Sequence, residues 1–148
     1  MTGPLQALRP GPVGLDTPLF IYFIEEHPRY APLVDPLFRA IDSGFLQGIT
    51  SGVTLLETLI HPLRNRNQQL AEEYEAILTQ SRNLSILELT VPLLRAAAQL
   101  RAATGMKTPD ALQIAAATAM QCTAFVTNDR RLPEIPGLRI LQLEDWAD

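Results

Sequence analysis

Lysine, cysteine and tryptophan each occur once in this 148-residue sequence, and histidine twice. A single cysteine, Cys122, excludes an internal disulfide framework. At the end of an apolar segment it reads as a small buried hydrophobe rather than a reactive thiol. No apolar run approaches the roughly 18–20 residues that span a bilayer, so no membrane association is expected. The opening "MTGPLQALRPGPVG" lacks the apolar stretch of a secretory signal, which makes the cytoplasm the default location. Positive charge is also scarce. The net charge of −4 excludes a broad basic surface that grips nucleic acid. It leaves room for phosphate contacts made through a metal and a few arginines. Lys107 is the sole lysine among twelve basic side chains. Arginine suits bidentate phosphate contacts, but genome composition accounts for the bias equally well.

What is present is a core: 47% of the residues are apolar, enough for one domain of ordinary size. Residues 1–12, with three prolines and two glycines, read as a loose extension, and residues 13–148 as a single domain. "VGLD" (13–16) predicts a short strand ending on Asp16, followed by a helix over "PLFIYFIEEH". "APLVDPLFRAID" predicts a second helix stopped by Gly44. "FLQGIT" (45–50) predicts a strand, and Ser51 is a good N-cap for "GVTLLETLIHPL". An amphipathic helix over 65–80, a strand over 84–90 and a helix ended by Gly105 follow. The segment "TPDALQIAAATAMQ" predicts a nearly all-apolar helix, with Thr108 as N-cap. Strands over "TAFVTND" (123–129) and "LRILQL" (138–143) close the chain. The alternation implies an α/β three-layer sandwich: a mostly parallel sheet of about five strands with helices on both faces. In such sheets ligands sit at the C-terminal strand ends, where several acids fall.

Each acid alone has an ordinary explanation. Asp16 can be the N-cap of the helix carrying Pro18. Glu57 shares a narrow polar stripe with Thr54 and His61 on an apolar helix. Asp110 complements the dipole of a Thr-Pro-Asp helix start, although so apolar a helix turns few sides to solvent. Asp129 in "VTND" suits a turn. Together they carry more. Four carboxylates converging at one sheet edge raise one another's pKa values unless a cation neutralises them. An all-oxygen set without cysteine or paired histidine points to Mg²⁺ or Mn²⁺ rather than zinc. A divalent metal held by acids suits phosphodiester hydrolysis.

The segments "GLDTPLFIYF", "TSGVTLLETL", "KTPDALQIAAA" and "FVTNDRRL", in this order and spacing, resemble PIN-domain ribonucleases of the VapC toxin type over residues 13–143. "PDALQIAAA" and "VTND", one helix apart, are the most specific pieces. The resemblance implies a metal-dependent endoribonuclease with Asp16, Glu57, Asp110 and Asp129 as the Mg²⁺ or Mn²⁺ quartet. It further implies that Thr127 orients a carboxylate or water. A homodimer and a small antitoxin inserting over the site belong to the same implication. Arg130, Arg131 and Lys107 are candidates to steer the RNA backbone. The sequence departs from the pattern in the twelve residues before the first strand and in Pro18.

Other acidic α/β sites fit less well. A phosphorylation-switched receiver needs paired acids after its first strand and a lysine after its last. A haloacid dehalogenase-type phosphatase needs a second aspartate where Pro18 stands. The alternative that stays open is a PIN-like domain that binds RNA or protein with little or no catalysis.

Overall fold

Strand after strand, the backbone returns to one parallel sheet. A computed structural model describes residues 3–9 and 11–146. The strands are β1 (Val13–Leu15), β2 (Gly48–Ser51), β3 (Leu84–Leu87), β4 (Ala124–Thr127) and β5 (Arg139–Gln142). They pair in the order β3-β2-β1-β4-β5, every pair parallel. The helices are α1 (Gly3–Ala7), α2 (Thr17–Ile24), α3 (Ala31–Asp42), α4 (Gly52–Arg64), α5 (Gln68–Gln80), α6 (Val91–Thr104) and α7 (Thr108–Ala119). A 3-10 turn, Leu143–Trp146, follows the last strand.

The two-residue period of the strands sorts their side chains into two cores. Val13, Leu15, Ala124 and Val126 face one layer, with Leu19 and Phe20 of α2, Leu37 and Ile41 of α3 and Leu78 of α5. Ile49 and Phe125 face the other, with Leu93 and Ala97 of α6 and the apolar body of α7. The result is the expected three-layer α/β sandwich. Burial also settles Cys122: its thiol is pushed up to about 12 by desolvation, which leaves it an inert hydrophobe.

Helix α7 is the most deeply seated, with Ala111 to Ala117 all buried. Its alanines allow a close approach to the sheet, and Gly14 of β1 completes it. A Cβ on Gly14 would stand 2.7 Å from Phe125 Cδ1 and 3.0 Å from Ala117 Cβ. The chain punctuation acts as read. Ser51 accepts the Val53 N–H as N-cap. Gly105 ends α6 in the left-handed region, φ +74°.

Four expectations need adjustment. The first twelve residues are not a loose extension throughout, because residues 3–7 are helical and Leu8 is fully buried. Apolar anchoring outweighs their proline and glycine content there. The strand expected at 45–50 is displaced to 48–51, since Leu46 N–H is tied back to the Ala40 carbonyl. The strand expected at 84–90 stops at Leu87, and Thr90 caps α6 instead. Helix α7 begins at Thr108 with Lys107 as its cap residue. The Thr108 hydroxyl is engaged by Arg101 Nη1 at 3.1 Å and caps nothing.

Candidate metal-binding cleft

β1 connects toward β2 and β3 on one side, whereas the chain reaches β4 and β5 on the other. The gap beyond the carboxyl ends of β1 and β4 is therefore a topological switch point, where open α/β sheets place ligands. A cleft of about 510 Å³ opens there, and Asp16, Glu57, Asp110 and Asp129 all line it.

Asp16 follows β1 directly and is buried, so its carboxylate can point only along the sheet edge. Thr17 N–H donates to its Oδ1 at 2.9 Å and the Thr127 hydroxyl to its Oδ2 at 2.6 Å. Burial dominates its titration and raises its pKa to about 6. The two hydrogen bonds oppose the rise, and the negative charges of Asp110 and Glu57 add to it. Thr127 also accepts the Asp129 N–H at 3.0 Å. This bond turns the chain out of the sheet after β4, so the strand expected to reach residue 129 stops at 127.

Glu57 projects from the second turn of α4 and accepts the Thr17 hydroxyl at 2.7 Å. The stripe it shares with Thr54 is thus an inward stripe. His61 lies outside it, exposed and bonded to Asn65. Asp110, in the first turn of α7, has its pKa raised first by burial and then by Asp129, with Arg131 opposing. Asp129 behaves differently. Arg131 binds it through Nε at 2.9 Å and Nη2 at 3.1 Å and holds its pKa below the ordinary carboxylate range.

The candidate cations separate. Arg131 lines the cleft. Lys107 lines an adjoining hollow with Asp110 and Asp129. Arg130 does not line the cleft; its guanidinium pairs with Asp145 at 2.7 Å, so the structure places it away from the acids. Asn128 lines the cleft and its amide lies 3.5 Å from the Tyr22 hydroxyl.

Gln113, not among the expected site residues, also lines the cleft. It is buried one turn after Asp110, in the middle of an apolar helix, and its amide Nε2 lies 3.0 Å from Thr17 Oγ1 and 2.6 Å from Thr54 Oγ1. The available signal was its spacing: position i+3 from an acid puts both on one helix face.

The donor set fits a hard divalent cation. All four carboxylates border one space, and the two with raised pKa values hold charge that a cation would relieve. Among the described residues, no three acidic, histidine or cysteine side chains are gathered tightly enough to hold an ion as they stand.

The family model for the PIN domain matches residues 13–138, and the chain belongs to that family. Solved structures that share its fold include the following two. VapBC2 from Rickettsia felis, bound to a DNA fragment from their promoter, is 18% identical with a TM-score of 0.68. The match covers 88% of this chain and 97% of that one. A toxin–antitoxin complex from Klebsiella pneumoniae is 17% identical with a TM-score of 0.64, covering 86% of this chain and 94% of that one. No curated protein sequence matches.

Proposed function

We propose that this chain is a Mg²⁺- or Mn²⁺-dependent endoribonuclease that hydrolyses RNA phosphodiester bonds, and the toxin of a toxin–antitoxin pair. The observation that carries the reading is the convergence of Asp16, Glu57, Asp110 and Asp129 on one cleft at the switch point of a PIN fold. PIN domains are generally nucleases.

In this reading the four carboxylates hold the cation. When bound, it lowers the pKa of the attacking water and neutralises charge that builds on the phosphate. The protein's own part is placement. Thr127 and the Thr17 N–H fix both oxygens of Asp16, and the Thr17 hydroxyl fixes one oxygen of Glu57. Arg131 and Lys107 stand where a phosphate backbone would pass, adjacent to Asp110 and Asp129.

The partner assignments rest on the fold shared with toxin–antitoxin complexes. They also rest on an apolar row left exposed along α4, Leu56, Ile60 and Leu63. Leu89, beside Gly52 at the start of α4, extends the row. Such a row suits a homodimer or a covering antitoxin segment.

Cleavage of RNA by the purified chain in Mn²⁺, abolished by chelator, is the expected result. Asp110→Asn should lose that cleavage with unchanged circular dichroism. Equal cleavage by the variant overturns the assignment. Absence of metal binding at millimolar Mn²⁺ favours the alternative, a PIN domain that binds without catalysis.

A further inference from the structure

Beside Glu57 lies a set of buried polar side chains, Thr17, Thr50, Ser51, Thr54 and Gln113, of which Thr17 and Gln113 also line the cleft. Ser51 Oγ meets Gln113 Oε1 at 2.7 Å, and Thr50 Oγ1 meets the Leu15 carbonyl at 3.0 Å and Thr54 Oγ1 at 2.7 Å. Donor inventory fixes the direction of these bonds and leaves the 3.0 Å approach of Thr17 Oγ1 to Thr54 Oγ1 without a hydrogen of its own. A carbonyl cannot donate, so the Thr50 hydrogen goes to Leu15. Thr54 must therefore donate to Thr50, and its oxygen is left to accept from Gln113. A carboxylate cannot donate either, so the Thr17 hydrogen goes to Glu57, and Thr17 too must accept from Gln113. Both amide hydrogens are used, and the Gln113 oxygen accepts the Ser51 hydrogen. If the amide were reversed, its oxygen would face Thr17 and Thr54. The Thr17 hydrogen would then be drawn toward Gln113, and Glu57 would lose its donor.

We propose that Gln113 is a positioning residue of the cleft: by donating to Thr17 and Thr54, it commits the Thr17 hydroxyl to Glu57 and holds that carboxylate ready for the metal. The inference rests on the metal-dependent reading above and extends it to a residue argued to act through Thr17 rather than as one of the four carboxylates. A purely structural role predicts lower stability alone. A positioning role predicts a loss of metal affinity that passes through Thr17.

Mn²⁺ titration calorimetry on the whole chain, without RNA, separates the two. Gln113→Met keeps the length and removes the donors, and should weaken Mn²⁺ binding about tenfold, as supporting partners of metal ligands do. Thr17→Val should weaken it comparably. The double variant should bind no worse than the weaker single variant, because both break one relay. Ser51→Gly leaves a tolerated helix cap but frees the amide to turn. It should lose affinity to a smaller degree, and lose none in the Thr17→Val background. That pair decides the matter if Gln113→Met does not fold. Unchanged affinity in folded Gln113→Met, or losses that multiply in the double variants, overturns the proposal while wild-type binding stands. A wild-type chain that takes up no Mn²⁺ overturns the metal reading itself, and the proposal with it.

Discussion

The two walls of the cleft are built differently. On the inner wall, Asp16 is fixed by the Thr17 backbone N–H and the Thr127 hydroxyl, and Glu57 by the Thr17 hydroxyl, which Gln113 backs in turn. On the outer lip, Asp129 lies in the turn after β4 and is held by an exposed arginine two residues away. Buried hydrogen bonds rigidify because breaking one strands a polar group away from water. An exposed ion pair yields readily to a competitor. The inner wall is thus the more rigidly held, and the outer lip is the part that yields more readily.

The sharpest way to break this contrast is Asp16→Asn. Cleavage and Mn²⁺ binding should fall to background, yet the metal-free protein should become more stable at neutral pH. The folded-state pKa of Asp16 is raised to about 6 from 3.8 by burial. Its stabilising contribution is therefore fully present below about pH 3.8 and is lost as pH rises through about 6. The metal-free wild type should accordingly gain stability on acidification across this window, with a ceiling of about 3 kcal/mol from this group. Denaturant titrations at several pH values would check it. A variant whose stability advantage is the same on both sides of the window would refute the linkage.

A middle-sized effect should come from Gly14→Ala. The added methyl meets Phe125 and Ala117 at less than contact distance, so α7 must lift or the strand must bend. A loss of about 1–3 kcal/mol is expected from such overpacking, measured by urea unfolding. Mn²⁺ affinity should drop alongside, because Asp110 and Gln113 ride on the displaced helix. The smallest effect belongs to the outer lip. Arg131→Ala should leave the melting temperature where it was and tighten Mn²⁺ binding a few-fold by freeing Asp129. Weaker metal binding in that variant would show that Arg131 assists the site rather than competing for it.

The contrast also explains what could be read from the sequence. The α/β layering was legible because strands and helices alternate, and because Ser51, Gly44 and Gly105 punctuate them through local chemistry. The carboxylates stood out since each interrupts an apolar segment or ends one. Gln113 did not stand out, because a lone glutamine within an apolar helix carries no charge, and its partners are distant in sequence. Lys107 rather than Thr108 precedes α7 for a similar reason: Arg101, from the preceding helix, claims the threonine hydroxyl. The separation of Arg130 from the cleft depends on Asp145 after the last strand. Leu8 was hidden by the prolines and glycines around it, although its burial comes from packing across the domain.

The pairing of β1 with β4 carries a consequence for the timing of assembly. Val13 aligns with Ala124 and Leu15 with Val126, and the Asp16–Thr127 bond closes a loop of 111 residues. Contacts so distant along the chain form late, after their loop-closure entropy has been met by other structure. A nascent chain emerging from the ribosome therefore carries Asp16 and Glu57 well before it has Asp110 or Asp129. The cleft cannot exist until residues 124–129 have been made and have docked beside the first strand. The activity proposed for this cleft would then be absent through most of the chain's own translation.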